Sequence, residues 1–138
     1  MYIPFKGGTV LGDIGGGCKH LIIICNDPVY YDEEIPSYYA VLTVNVTSWK
    51  ENNCFNDDTC ILLPGSHPFI KHKSFVYYQQ SIPWRVDPII KKVENKELIP
   101  METIPDVVLN NVLDVFEKSI HTPRKSLRFY KRFIKANQ

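Results

Sequence analysis

Beyond residue 17 the chain contains a single glycine, Gly65, although seven occur in its 138 residues. Glycine-type backbone freedom is therefore concentrated at the N-terminal end, which excludes a collagen-like or glycine-rich low-complexity chain. Long apolar stretches are missing too. The longest uninterrupted one, Leu21 to Cys25, falls far short of the roughly 20 residues that a membrane-crossing helix needs. No basic cluster followed by an apolar run opens the sequence, so it does not read as a secretory signal, and a cytoplasmic location is expected. Several motifs that would name a reaction are absent: H-E-x-x-H, G-x-S-x-G and the phosphate loop G-x-x-x-x-G-K-[ST].

Cysteine is scarce and badly spaced for a metal knuckle. Cys54, Cys60, His67 and His72 follow C-x5-C-x6-H-x4-H, whereas common zinc sites use C-x2-4-C pairs. No metal or other cofactor is expected. Cys18, Cys25, Cys54 and Cys60 are expected to be reduced packing residues.

What remains is a globular composition, 44% hydrophobic and 22% charged, on a length suited to a single domain spanning residues 1–138. The net charge of +1 hides an asymmetry. Residues 1–84 carry five basic and eight acidic side chains, whereas residues 85–138 carry eleven basic and seven acidic ones. From Lys118 onward seven basic side chains occur with no acidic one. Such a segment is either a solvated helix face or a site for something anionic.

Local patterns predict strands first. Thr9 to Leu11 reads as a short strand, followed by a loop around Gly15-Gly16-Gly17. His20 to Cys25 is a continuous apolar run ended by Asn26-Asp27-Pro28, as in a buried strand closed by a turn. Over Tyr39 to Thr47 the side chains alternate, with Val41, Thr43, Asn45 and Thr47 on one face and Leu42, Val44 and Val46 on the other. Shorter strands are predicted at Thr59 to Leu63 and Ser74 to Tyr78. Pro83, Pro88 and Pro100 break up the stretch beyond, leaving strand-like pieces such as Pro88 to Lys92.

Helices are expected only at the end. Thr103 is placed to cap the first, with Pro105 near its first turn and Val108, Leu109, Val112, Leu113 and Phe116 as its apolar stripe. The second, Arg124 to Ala136, sets Leu127, Phe129, Tyr130, Phe133 and Ile134 on one arc and six basic residues on the other. The fold class expected is mainly β with C-terminal helices (α+β): a curled antiparallel barrel over residues 1–95 and a two-helix extension over 101–138.

Antiparallel pairing of the two central strands would bring Lys19 and His20 toward Thr47 and Ser48, where a cation and a hydroxyl can hold one phosphate. The competing reading is that Thr47 and Ser48 simply end a strand in a turn. His67 and His72 lie in the loop before Ser74 and suit proton transfer near neutral pH, or loop packing. Tyr30, Tyr31, Tyr38 and Tyr39 flank an acidic loop and offer faces for unstacked bases, or for the core.

Read in order, GGGCKHLIIICND, VLTVNVTS, DDTCILLPGS and SFVYYQQSIPWRVD resemble the MazF/PemK family of toxin endoribonucleases over about residues 7–90. The resemblance implies an SH3-like barrel, a homodimer, metal-independent cutting of single-stranded RNA by attack of the ribose 2′-hydroxyl, and an acidic antitoxin as partner. The family's functional arginine falls on Lys19, its functional threonine on Thr47, and the proline beside the arginine on His20. Lysine keeps the charge but lacks the two-pronged fork of arginine. On this reading Lys19, Thr47, His20, His67 and His72 are the catalytic candidates. Ser48 and the basic arc residues Arg124, Arg128, Lys131 and Lys135 are the RNA-binding ones. The alternative is a non-catalytic protein of the same fold, as in the CcdB gyrase poisons, that inhibits a protein target or binds nucleic acid through its basic helix.

Overall fold

The computed structural model describes residues 1–137. Seven strands form one antiparallel sheet: β1 (Thr9–Asp13), β2 (Lys19–Ile24), β3 (Val29–Tyr31), β4 (Tyr38–Ser48), β5 (Ile61–Leu62), β6 (Ser74–Arg85) and β7 (Leu98–Met101). Their order is β5-β6-β4-β2-β1-β7, with β3 pairing β4. The sheet curls into a half-barrel, and three helices accompany it: α1 (Val86–Glu94), α2 (Asp106–Asp114) and α3 (Arg124–Phe129). The architecture is α+β, as the strand-then-helix order of the sequence predicts. The sheet does not stop at residue 95, because β7 pairs β1 along Thr9↔Met101 to Gly12↔Leu98.

Both faces of β2 and β4 are covered, which explains why β2 is apolar from Leu21 onward. Leu21, Ile23 and Cys25, with Leu42, Val44 and Val46, point into the main core beside Leu109, Val112, Leu113 and Phe116. Ile22, Ile24 and Val41 point the other way, into a smaller cluster with Val86 and Ile89. Burying one such side chain fully is worth about 1.5–3 kcal/mol. The helices α2 and α3 thus close one face, and α1 covers part of the other.

The predicted strand piece from Pro88 to Lys92 is instead part of α1. Pro88 is the third residue of that helix, where its missing N–H is one that no intrahelical carbonyl would have accepted. Val86, Ile89, Ile90 and Val93 then recur at helical spacing and pack on the smaller cluster. Pro83 does not end β6 either. It stands opposite Leu42, whose own N–H donates to Asn26 Oδ1 at 2.7 Å and whose carbonyl accepts from Cys25 N–H at 2.8 Å. Leu42 therefore directs its backbone groups away from β6, and a residue without an N–H loses nothing there.

Thr103 does not cap α2; the helix begins after Pro105, with no side-chain cap. Its far end is satisfied by tertiary contacts. The hydroxyls of Tyr78 and Tyr130 donate to the Val112 and Leu113 carbonyls at 2.7 and 2.8 Å, groups beyond the reach of the α-helical ladder, and the Phe116 N–H also donates to Leu113 at 3.2 Å. Helical structure continues past α3 through a wide π-type turn, Tyr130–Ile134, and a 3-10 turn, Lys135–Asn137. Phe129, Tyr130 and Ile134 are buried in the main core, with Leu127 and Phe133 against it. No helix among the described residues is long and apolar enough to cross a membrane.

Candidate functional site

The pairing Leu21↔Val46, carried on past the ladder, sets His20 and Lys19 beside Thr47 and Ser48. On the other side of β4, Thr47↔Phe75 and Ser48↔Ser74 bring the start of β6 alongside. Together these registers create a cleft of about 330 Å³ at one end of the sheet. Lys19, His20, Thr47, Ser48 and His72 all line it. Two further lysines, Lys50 and Lys71, complete its charge, and none of its lining residues is an Asp or Glu.

Lys19, Ser48 and His72 are exposed, whereas His20 and Thr47 are half-buried. His20 Nδ1 lies 3.3 Å from the Val46 carbonyl oxygen. A carbonyl can only accept, so Nδ1 is a protonated nitrogen, and in the neutral imidazole the lone pair lies on Nε2. The Thr47 hydroxyl oxygen is shielded from solvent and has no hydrogen-bond partner. An unpaired buried hydroxyl costs about 1–3 kcal/mol, so a ligand oxygen reached by turning the side chain would relieve a standing penalty.

His67 sits elsewhere. It is 1% exposed, and both of its ring nitrogens are engaged. Nδ1 accepts from the Phe69 N–H at 3.0 Å, and Nε2 donates to the Glu102 carbonyl at 2.6 Å. Thr9 Oγ1 also lies 3.3 Å from Nε2. These bonds tie the loop before β6 to the segment after β7, a packing role. The sequence offers no way to separate His67 from His72.

The basic arc of the terminal helix faces acids of its own chain. Arg132 bonds Asp32 at 2.7 Å and Glu33 at 3.0 Å, Lys125 pairs with Glu34, and Arg128 lies 3.9 Å from Glu33. Lys135 pairs with Glu117 at 3.0 Å. The hydrogen bond from Arg132 holds the Asp32 carboxyl below the usual carboxylate range, and the Glu34 contact raises Lys125. Of the arc residues, Arg124 and Lys131 have no ion pair among the described residues. The arc and the Thr47 cleft are lined by different elements.

The tyrosines separate by burial. Tyr31 is in the core at 3% exposure, whereas Tyr30 and Tyr39 are exposed and meet edge to face at 5.4 Å. Tyr38 carries the Arg85 guanidinium 4.3 Å above its ring. Tyr30, Tyr38 and Tyr39, with Arg85 and Lys91, line a second and larger cleft, of about 730 Å³. Lys91 escaped sequence reasoning because α1 did not read as a helix, and Arg85 because β6 runs on past the strand predicted to end at Tyr78.

Cys25 and Cys60 are buried and Cys18 and Cys54 exposed, all four unbridged. Burial pushes the Cys25 thiol up to about 12 and that of Cys60 to about 11. Among the described residues no group of three His, Cys, Asp or Glu side chains is arranged to hold a metal ion. No protein-family model matches the chain, and no curated protein matches it.

Proposed function

We propose that the Thr47 cleft cuts single-stranded RNA. What supports this reading is one observation: three lysines and two histidines converge with a strand-end threonine and serine, and no carboxylate accompanies them. Such a site attracts a phosphodiester and supplies both proton-transfer groups that internal transesterification needs. Lys19 and the hydroxyls of Thr47 and Ser48 hold the non-bridging phosphate oxygens. His20 Nε2 takes the proton of the 2′-hydroxyl as that oxygen attacks phosphorus. His72, protonated, gives its proton to the departing 5′-oxygen. One P–O bond forms and one breaks, leaving a 2′,3′-cyclic phosphate and a free 5′-hydroxyl.

The resemblance to the MazF/PemK toxins supports extending this to the toxin of a toxin–antitoxin pair that works as a homodimer. The basic helix then offers Arg124 and Lys131 to RNA or to an acidic antitoxin, alongside Arg128 and Lys135. Purified protein incubated with mixed single-stranded RNA in EDTA should give cyclic-phosphate ends. Intact RNA, or equal cutting by Lys19→Ala and Thr47→Val, would reject the proposal.

A second reading, a non-catalytic inhibitor of a protein target, is favoured by two features: lysine stands where the family has arginine, and the Thr47 hydroxyl is turned inward. Growth arrest on induced expression with cellular RNA intact would support it.

A further inference from the structure

Three clefts of the molecule share walls. The Thr47 cleft shares Lys19 with a cleft of about 450 Å³ beside Trp84, and that one shares Lys92 with the tyrosine cleft. The three therefore form one path across the molecule. Its walls carry seven lysine and arginine side chains against three acidic ones. The middle stretch adds Lys96, and the far end adds Arg85 and Lys91. At that far end lie the two exposed tyrosines, Tyr30 and Tyr39, with Tyr38 under the Arg85 guanidinium.

We propose that this path is a binding track for a single nucleic-acid strand, with its phosphates following Lys19, Lys96, Lys92 and Lys91 and a base stacking on Tyr39 at the distal end. It deepens the reading of the Thr47 cleft as an RNA site, and rests on that reading only for the identity of the strand as RNA. Three observations argue for a strand over an acidic peptide. Exposed aromatic faces end the track, and stacking on such faces is open to every base. The cations are distributed over all three clefts: Lys19, Lys50 and Lys71 at one end, Lys96 and Lys92 in the middle, Lys91 and Arg85 at the other. The acidic polypeptide segment Asp32–Glu34 already engages a different surface, the arc of the terminal helix.

Length agrees as well. Tyr39 and Thr47 stand on one strand, β4, eight residues apart, or about 26 Å at the usual rise. That suits a strand of a few nucleotides, the short end of the roughly 4–16 that such grooves accommodate. The tyrosine cleft, at about 730 Å³, falls within the range of about 300–1,000 Å³ typical of small-ligand sites.

The test uses fluorescein-labelled oligodeoxythymidine of eight residues, which has no 2′-hydroxyl and cannot be cut by the proposed reaction. Anisotropy titrations over a series of salt concentrations give affinity and its salt slope. Lys91→Ala/Lys92→Ala should weaken binding by tenfold or more and reduce the slope by about 0.7 for each phosphate no longer neutralised. Tyr39→Ala should weaken binding roughly five- to a hundredfold with the slope unchanged. Lys6→Ala/Lys118→Ala, two exposed lysines that line none of these clefts, should bind as the wild type does. Binding unchanged in both the Lys91/Lys92 and the tyrosine variants, or weakened as much in the Lys6/Lys118 variant, overturns the track. If the track variants bind weakly while wild-type protein leaves RNA uncut, the track stands and the nuclease proposal fails.

Discussion

Nδ1 of His20 donates to the Val46 carbonyl at 3.3 Å, tying a side chain at the start of β2 to the backbone of β4. That bond orients the ring and leaves Nε2 as the basic atom of the neutral imidazole, the arrangement that the proposed proton abstraction requires.

His20→Gln should therefore lower RNA cleavage by about 10²- to 10⁴-fold, with thermal unfolding close to that of the wild type. Rate constants and melting temperatures measured on the same preparations check both halves. Unchanged cleavage would remove His20 from the reaction.

His67→Ala should do the reverse. The substitution strands the Phe69 N–H, leaves the Glu102 carbonyl with the Thr9 hydroxyl as its remaining donor, and opens a cavity at a position 1% exposed. A loss of about 2–4 kcal/mol in urea unfolding is expected, with cleavage per folded molecule unchanged.

The split between these two histidines shows where sequence reasoning reaches and where it stops. Apolar periodicity at Leu127, Phe129, Tyr130, Phe133 and Ile134 reports burial directly, because nothing else satisfies such a stripe. Alternation along β4 likewise gave both faces correctly. His67 and His72 carry the same chemistry in the same loop, and only the carbonyl of Glu102, 35 residues onward, decides which is locked. Lys50 and Lys71 reach the cleft through strand register, a long-range property with no local signature. Pro88 concealed α1 because proline marks both a helix start and a break, and β3 and β7 are too short to show a period.

Thiol labelling tests the core placement. Iodoacetamide at pH 8 should modify exposed Cys18 and Cys54 in the native protein. Cys25 and Cys60, whose thiols burial holds at about 12 and about 11, should react only in denaturant. Mass spectrometry counts the adducts; four in the native state would contradict the fold.

Asp57 gives a pH-dependent test. Burial alone would raise its carboxyl, but hydrogen bonds from Thr59 and Ser119 outweigh that and leave it below the ordinary range. The Ser119 hydroxyl donates to Oδ2 at 2.7 Å. A carboxyl depressed in the folded state contributes stability above its unfolded value of about 3.9, and loses it as pH falls through the folded value. Ser119→Ala should cost about 1.5–3 kcal/mol at pH 7, and the gap to wild type should narrow well below pH 4. An equal gap at pH 7 and pH 3 would mean that the charge of Asp57 plays no part.

Gly12 marks a close seam between β1 and β7. A Cβ there would lie 2.3 Å from Leu98 Cδ2, so Gly12→Ala should destabilise by about 1–3 kcal/mol. Combined with Leu98→Ala, the loss should be smaller than the sum of the two single changes. Simple additivity in urea unfolding would show that the two sites do not touch.

The acidic loop laid along the terminal helix has an outcome for how the molecule meets a polyanion at a distance. Asp32, Glu33 and Glu34 offset the field of Lys125, Arg128 and Arg132, so the most basic-looking stretch of the chain is a weak long-range attractor. The potential left uncompensated comes from lysines of the clefts together with Arg124 and Lys131, and on the proposed function it is the cleft lysines that steer an approaching RNA strand. Encounter rates should then fall with ionic strength according to those lysines, whatever the tail's formal charge.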